Sequence, residues 1–97
     1  MKTFTDLEFK EKPFGMGIHA RMNFSNGYEL SVVAGEYCYS NPRRDFNSPD
    51  DYHEFEVAVF KDGDFTRELY PDHTDDVLGW QTRAQINTLM WQLQTGW

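Results

Sequence analysis

His73 sits among Asp72, Asp75 and Asp76, and His53 lies next to Asp51 and Glu54. Imidazole and carboxylate both ligate divalent cations, so these are the first places to look for a metal. The spacing argues against one. The D-x-[DN]-x-[DN]-G pattern of a calcium loop is missing. Zinc ordinarily recruits more than histidines at 19, 53 and 73 with one cysteine at 38. No metal and no cofactor are expected, and the acidic turn reads as a solvated connector that favours the start of the next element.

Cys38 stands between Tyr37 and Tyr39. A reactive thiolate needs a cationic neighbour, Arg43 or a histidine; a lone cysteine beside a strand is more often a small packed side chain. The chain has no G-x-S-x-G elbow, phosphate loop or dinucleotide fingerprint. Its many carboxylates look exposed, whereas general acid–base work needs a pocket that shifts a pKa. No catalytic residue can be named, and the expectation is a protein that is not an enzyme.

Recognition is the remaining chemistry. Tyr37, Tyr39, Phe46 and Tyr52 surround Arg43–Arg44, the only basic doublet, and Tyr and Arg are enriched where contact energy concentrates. These rings, with Asp72, Asp75 and Asp76, form the expected partner-binding surface. In the alternative reading, Arg43 and Arg44 hold a nucleotide or small anion against the tyrosines. In the plainer one, the rings finish the sheet and the arginines neutralise Asp45, Asp50 and Asp51. Trp91 lies about 100° around a helix from Met90; exposed there, it would mark a partner or homo-oligomer contact.

These residues need a scaffold. Ile18, Ala20, Met22 and Phe24 alternate with polar neighbours, Asn26–Gly27 is a tight-turn signal, and Tyr28, Leu30 and Val32 alternate after it. That predicts a β-hairpin of 17–24 with 28–34, which Glu36–Tyr39 could prolong. The segment 40–52, with Pro42 and Pro49, reads as a long exposed loop. A third strand covers 52–61, Asp62–Gly63 is a second hairpin turn, and a fourth strand runs from Phe65 to Leu69 before Pro71. Residues 1–16 suggest a short edge strand or an extended arm. Val77–Trp80 suggests one helical turn. Thr82 and Gln85 form a capping box for a helix over 82–95; its apolar positions Ile86, Leu89, Met90 and Leu93 make one face, and Gly96 ends it. The expected fold is a single α+β domain over 1–97: an antiparallel sheet of about four strands with one amphipathic C-terminal helix on one face.

Charge narrows the function classes. The chain carries −7, and the acids concentrate in 50–76, where ten face only Lys61 and Arg67. Such a field repels phosphate backbones and attracts basic patches, so direct nucleic-acid binding is disfavoured and a basic protein is the expected partner. A lone cysteine excludes an intrachain disulfide and suggests a reducing cytoplasm. No run approaches the ~20 apolar residues of a membrane span. With 97 residues and 16% aromatics, a thin core can close without metals or disulfides.

Three segments carry a resemblance: Arg21–Val33 (R-M-N-F-S-N-G-Y-E-L-S-V-V), Glu56–Val59 (E-V-A-V) and Thr74–Thr82 (T-D-D-V-L-G-W-Q-T). Together they resemble a family of small proteins of tailed bacteriophages and prophages. The shared motifs are structural, so the resemblance carries no active site. It implies a phage accessory protein acting in the host cytoplasm, one that binds and modulates a host or anti-phage defence protein. The departure from the family pattern is the longer 40–52 loop with its arginines and prolines.

Overall fold

The computed structural model describes residues 1–96. It is α+β, with a six-stranded antiparallel sheet and one C-terminal helix. The strands are β1 (Lys10–Glu11), β2 (Ile18–Asn23), β3 (Tyr28–Ala34), β4 (Phe55–Lys61), β5 (Asp64–Phe65) and β6 (Val77–Gln81), followed by helix α1 (Arg83–Thr95). They run in the order β1-β2-β3-β4, after which β5 and β6 share the far edge of β4.

The Asn26–Gly27 hairpin forms as its alternation demands, pairing Ile18 with Ala34 and Asn23 with Glu29. Gly27 holds φ +90°, a region that glycine enters without a steric penalty. The Asp62–Gly63 turn also has positive φ at both residues, 51° and 92°. Asn26 adds a role of its own: its Nδ2 donates to the Leu93 carbonyl at 2.7 Å, satisfying a group that the helix end leaves open.

Two expectations about the second half are corrected. The fourth strand stops at Phe65, and Val77–Trp80 is strand rather than helical turn. Both have one cause. The edge of β4 from Phe55 to Ala58 leaves backbone groups in need of partners, and β6 supplies them, pairing Ala58 with Val77 and Phe55 with Gln81. β5 then holds only Phe60 and Lys61. Glu36–Tyr39 does not extend β3 but turns away from it. The N-terminal arm holds the two-residue β1 between 3-10 turns at Phe4–Asp6 and Pro13–Gly15.

Helix α1 starts at the Thr82 capping box: Thr82 Oγ1 accepts from Gln85 N at 3.2 Å and Gln85 Oε1 from Thr82 N at 2.9 Å. Its Ile86, Leu89, Met90 and Leu93 join Ile18, Leu30, Val32, Phe55, Val57 and Val59 in one core. The N-terminal arm lies along the helix, with Phe4 N donating to Asn87 Oδ1 at 2.7 Å. Arg83 fastens the helix start: its guanidinium lies over Phe4 and Phe55 and donates to the carbonyls of Pro49 and Tyr52.

Burial pushes the phenols of Tyr28, Tyr52 and Tyr70 above the ordinary 10.0, for Tyr28 with help from its hydrogen bond to Glu68. With the folded value above the unfolded one, the stabilisation is whole below pH ~10 and is lost as pH rises through the folded value. An absorbance titration is expected to show the buried rings of Tyr28 and Tyr52 ionising together with loss of far-UV signal. Phenolate appearing from both in a chain that stays folded would contradict their burial.

Candidate recognition groove and its acidic border

Between β5 and β6 the chain makes an excursion over 66–76, which Arg67 and Tyr70 fasten. Arg67 Nη1 donates to the His73 carbonyl at 2.7 Å, and its Nε lies 3.9 Å from the Asp76 carboxylate. The Tyr70 hydroxyl donates to the Asp76 carbonyl at 3.0 Å and accepts from Val59 N at 3.2 Å. Its ring meets His73 edge-on. The histidine expected among the acids is therefore part of a built loop, which presents Asp72 and Asp75 as exposed carboxylates.

This excursion and α1 flank an open groove of about 260 Å³ with an apolar floor. Leu69, Tyr70, Leu78 and Leu89 line it, with Gln81, Gln85, Thr88 and Gln92 around them. Leu69, Tyr70 and Leu78 pack on the core from outside and stay partly exposed. After Arg83 the helix carries no charge. The outer faces of solvated helices normally carry charged residues, so an amide border beside an apolar floor is a surface suited to contact. Sequence reasoning gave Gln85 only its place in the capping box. The signal that could have found the groove was this missing charge.

The other predicted residues are dispersed. Tyr52 is fully buried, which corrects its assignment to the contact surface. Its ring packs on Phe55 and Phe46, and its hydroxyl donates to the Arg44 carbonyl and accepts from Phe46 N at 2.8 Å. It is the post around which the 40–52 loop winds, a loop that also contains a 3-10 turn at Pro49–Asp51. Phe46 stays partly exposed against it, and Tyr37 is exposed. Arg43 lies over the Tyr39 ring at 5.8 Å, while Arg44 gives its carbonyl to Tyr52. Neither arginine lines the groove. Trp91 is 54% exposed on the helix.

Cys38 is buried, 3.8 Å from Lys12 Nζ. Burial raises its thiol pKa and outweighs the lowering by Lys12, which favours the protonated, unreactive form. Among the described residues no three His, Cys, Asp or Glu side chains are grouped to hold a metal. Nor is any helix there long and apolar enough to cross a membrane.

No protein-family model, curated protein or solved structure matches this chain.

Proposed function

We propose that this protein is a binding module rather than a catalyst, and that it captures a basic protein segment in the groove between α1 and the 66–76 excursion. The observation that carries the reading is the juxtaposition itself. An apolar, amide-bordered groove lies against a fastened loop bearing Asp72, Asp75 and Asp76. An apolar anchor of the partner would enter among Leu69, Tyr70, Leu78 and Leu89. Its lysines or arginines would meet the carboxylates, which speed encounter and select sign more than they add affinity. The resemblance to phage accessory proteins points to a host or defence protein in the cytoplasm of an infected cell as that partner. The nucleotide-binding alternative draws less support, because Arg43 lies over the Tyr39 ring and Arg44 gives its carbonyl to Tyr52.

Site-specific photocross-linking tests this. With a benzoylphenylalanine at Gln92, on the groove border, irradiation of expressing cells should yield one dominant adduct with a basic protein. The same group at Lys10, on the far edge strand, should not. Equal adducts from both positions would refute the groove as the contact site.

A further inference from the structure

The turn that joins β2 to β3 also touches the end of α1, and it contains a reactive pair. An asparagine carboxamide carbon is an electrophile, and the main-chain nitrogen of the next residue can close a five-membered ring on it. A side chain on that next residue hinders the approach, and glycine has none. Of the five asparagines, Asn26 alone precedes a glycine, and both residues are exposed. Asn41 precedes Pro42, whose nitrogen has no hydrogen to give up. Asn23 and Asn87 lie within β2 and α1, before Phe24 and Thr88. Asn47, before Ser48, is exposed in the 40–52 loop.

In the folded chain both reactants are held. Asn26 Nδ2 donates to the Leu93 carbonyl at 2.7 Å, and its Oδ1 accepts from Tyr28 N at 3.4 Å. The Gly27 amide is turned to the Phe24 carbonyl, 3.3 Å away. The carboxamide therefore lies across the last turn of α1, where the carbonyls have no partner further along the helix. Gly96 closes that turn, donating its amide to the Gln92 carbonyl at 3.0 Å with φ at +76°. Helix ends are also where local opening costs least. Opening this one releases the carboxamide from Leu93 and lets it rotate onto the Gly27 nitrogen.

We infer that Asn26 is a self-modification site, a deamidation gated by the last turn of α1. When the turn opens, the Gly27 nitrogen bonds to Asn26 Cγ and the Cγ–Nδ2 bond breaks. The side-chain nitrogen leaves as ammonia, taking the proton that the Gly27 nitrogen gives up. Water then opens the cyclic imide. Cleavage at Cγ yields aspartate, and cleavage at the main-chain carbonyl yields isoaspartate, whose main chain is one carbon longer. Neither product has the Nδ2 donor that met the Leu93 carbonyl. Each adds a carboxylate near the negative end of the helix and takes the net charge one unit below its present −7. Lys2 lines the same depression as Asn26, but it is exposed and offsets little of this. Once the reaction has run, the turn closes less well than before, so a transient opening is recorded as a permanent one.

Timed incubation of the full chain at neutral pH, in buffer and in denaturing urea, tests the inference, with peptide mass spectrometry reading amide-to-acid conversion at each asparagine. In urea Asn26 should convert well ahead of Asn47. In buffer it should still convert, but about tenfold more slowly than in urea, while Asn47, whose side chain is exposed in the folded chain as well, changes little. Gly96→Val puts a branched residue where φ is +76° and so opens the helix end. It should speed Asn26 in buffer about fivefold or more and leave Asn47 unchanged. Circular dichroism would establish that the variant folds, and Thr95→Gly repeats the test should it fail to. Asn26→Asp, which makes one product directly, should speed amide exchange in the last turn of α1 about tenfold. Equal rates at Asn26 in urea and in buffer, no conversion in buffer while the urea sample runs to completion, or helix-end variants that convert no faster than wild type would overturn the gate.

Discussion

Replacing Tyr52 by alanine is expected to remove about 3–5 kcal/mol of stability, a large share of the roughly 5–15 kcal/mol that holds a small domain together. The ring is fully buried against Phe55 and Phe46. Its loss opens a cavity beside the start of α1, where Arg83 donates to the Tyr52 carbonyl at 2.9 Å. The hydroxyl contributes separately. It joins the Arg44 carbonyl to the Phe46 amide, so Tyr52→Phe keeps the packing but leaves both groups short of a partner, at about 1–3 kcal/mol. Urea unfolding of the three chains measures both effects. The order should be wild type, then phenylalanine, then alanine. A change below about 1 kcal/mol for the alanine variant, as at an ordinary surface site, would mean that Tyr52 is not the post of the loop.

Tyr52 also marks where the sequence stops being legible. Alternation and turn chemistry suffice for the β2–β3 hairpin, for β4, and for α1 with its capping box and its terminating Gly96, because those signals are local. Strand sharing at the edge of β4 is not local. Whether Val77–Gln81 pairs or coils depends on β5 ending at Phe65, and four residues such as Val77-Leu78-Gly79-Trp80 have no period long enough to decide. The aromatic cluster around Arg43 looked like one surface because its members are neighbours in the chain. In the fold Tyr52 points inward, Tyr39 lies over Gly79 on the uncovered face, and Phe46 leans on Tyr52.

The candidate site was legible in part. Asp72, Asp75 and Asp76 stand out by composition, yet nothing local says that Arg67 and Tyr70 fold them into a fastened loop or that Leu69 and Leu78 face α1. The absence of charge after Arg83 was visible and is the nearest thing to a sequence signature of the groove. The result is an apolar groove with an acidic border, the surface proposed to take a basic partner.

The most direct measurement for the recognition groove is the affinity of the cross-linked partner, once recovered, for wild type and for the double variant Asp72→Lys, Asp75→Lys across a range of salt. Both carboxylates are exposed and lie outside the Arg67–Asp76 pair, so the loop should keep its form. An exposed ion pair is worth about 0.2–1 kcal/mol. Turning two attractions into repulsions should weaken binding about 10- to 100-fold at low salt, chiefly through slower association. The gap should narrow as salt rises. Equal affinity of the two chains at low salt, or a deficit that salt leaves unchanged, would contradict recognition through the acidic border.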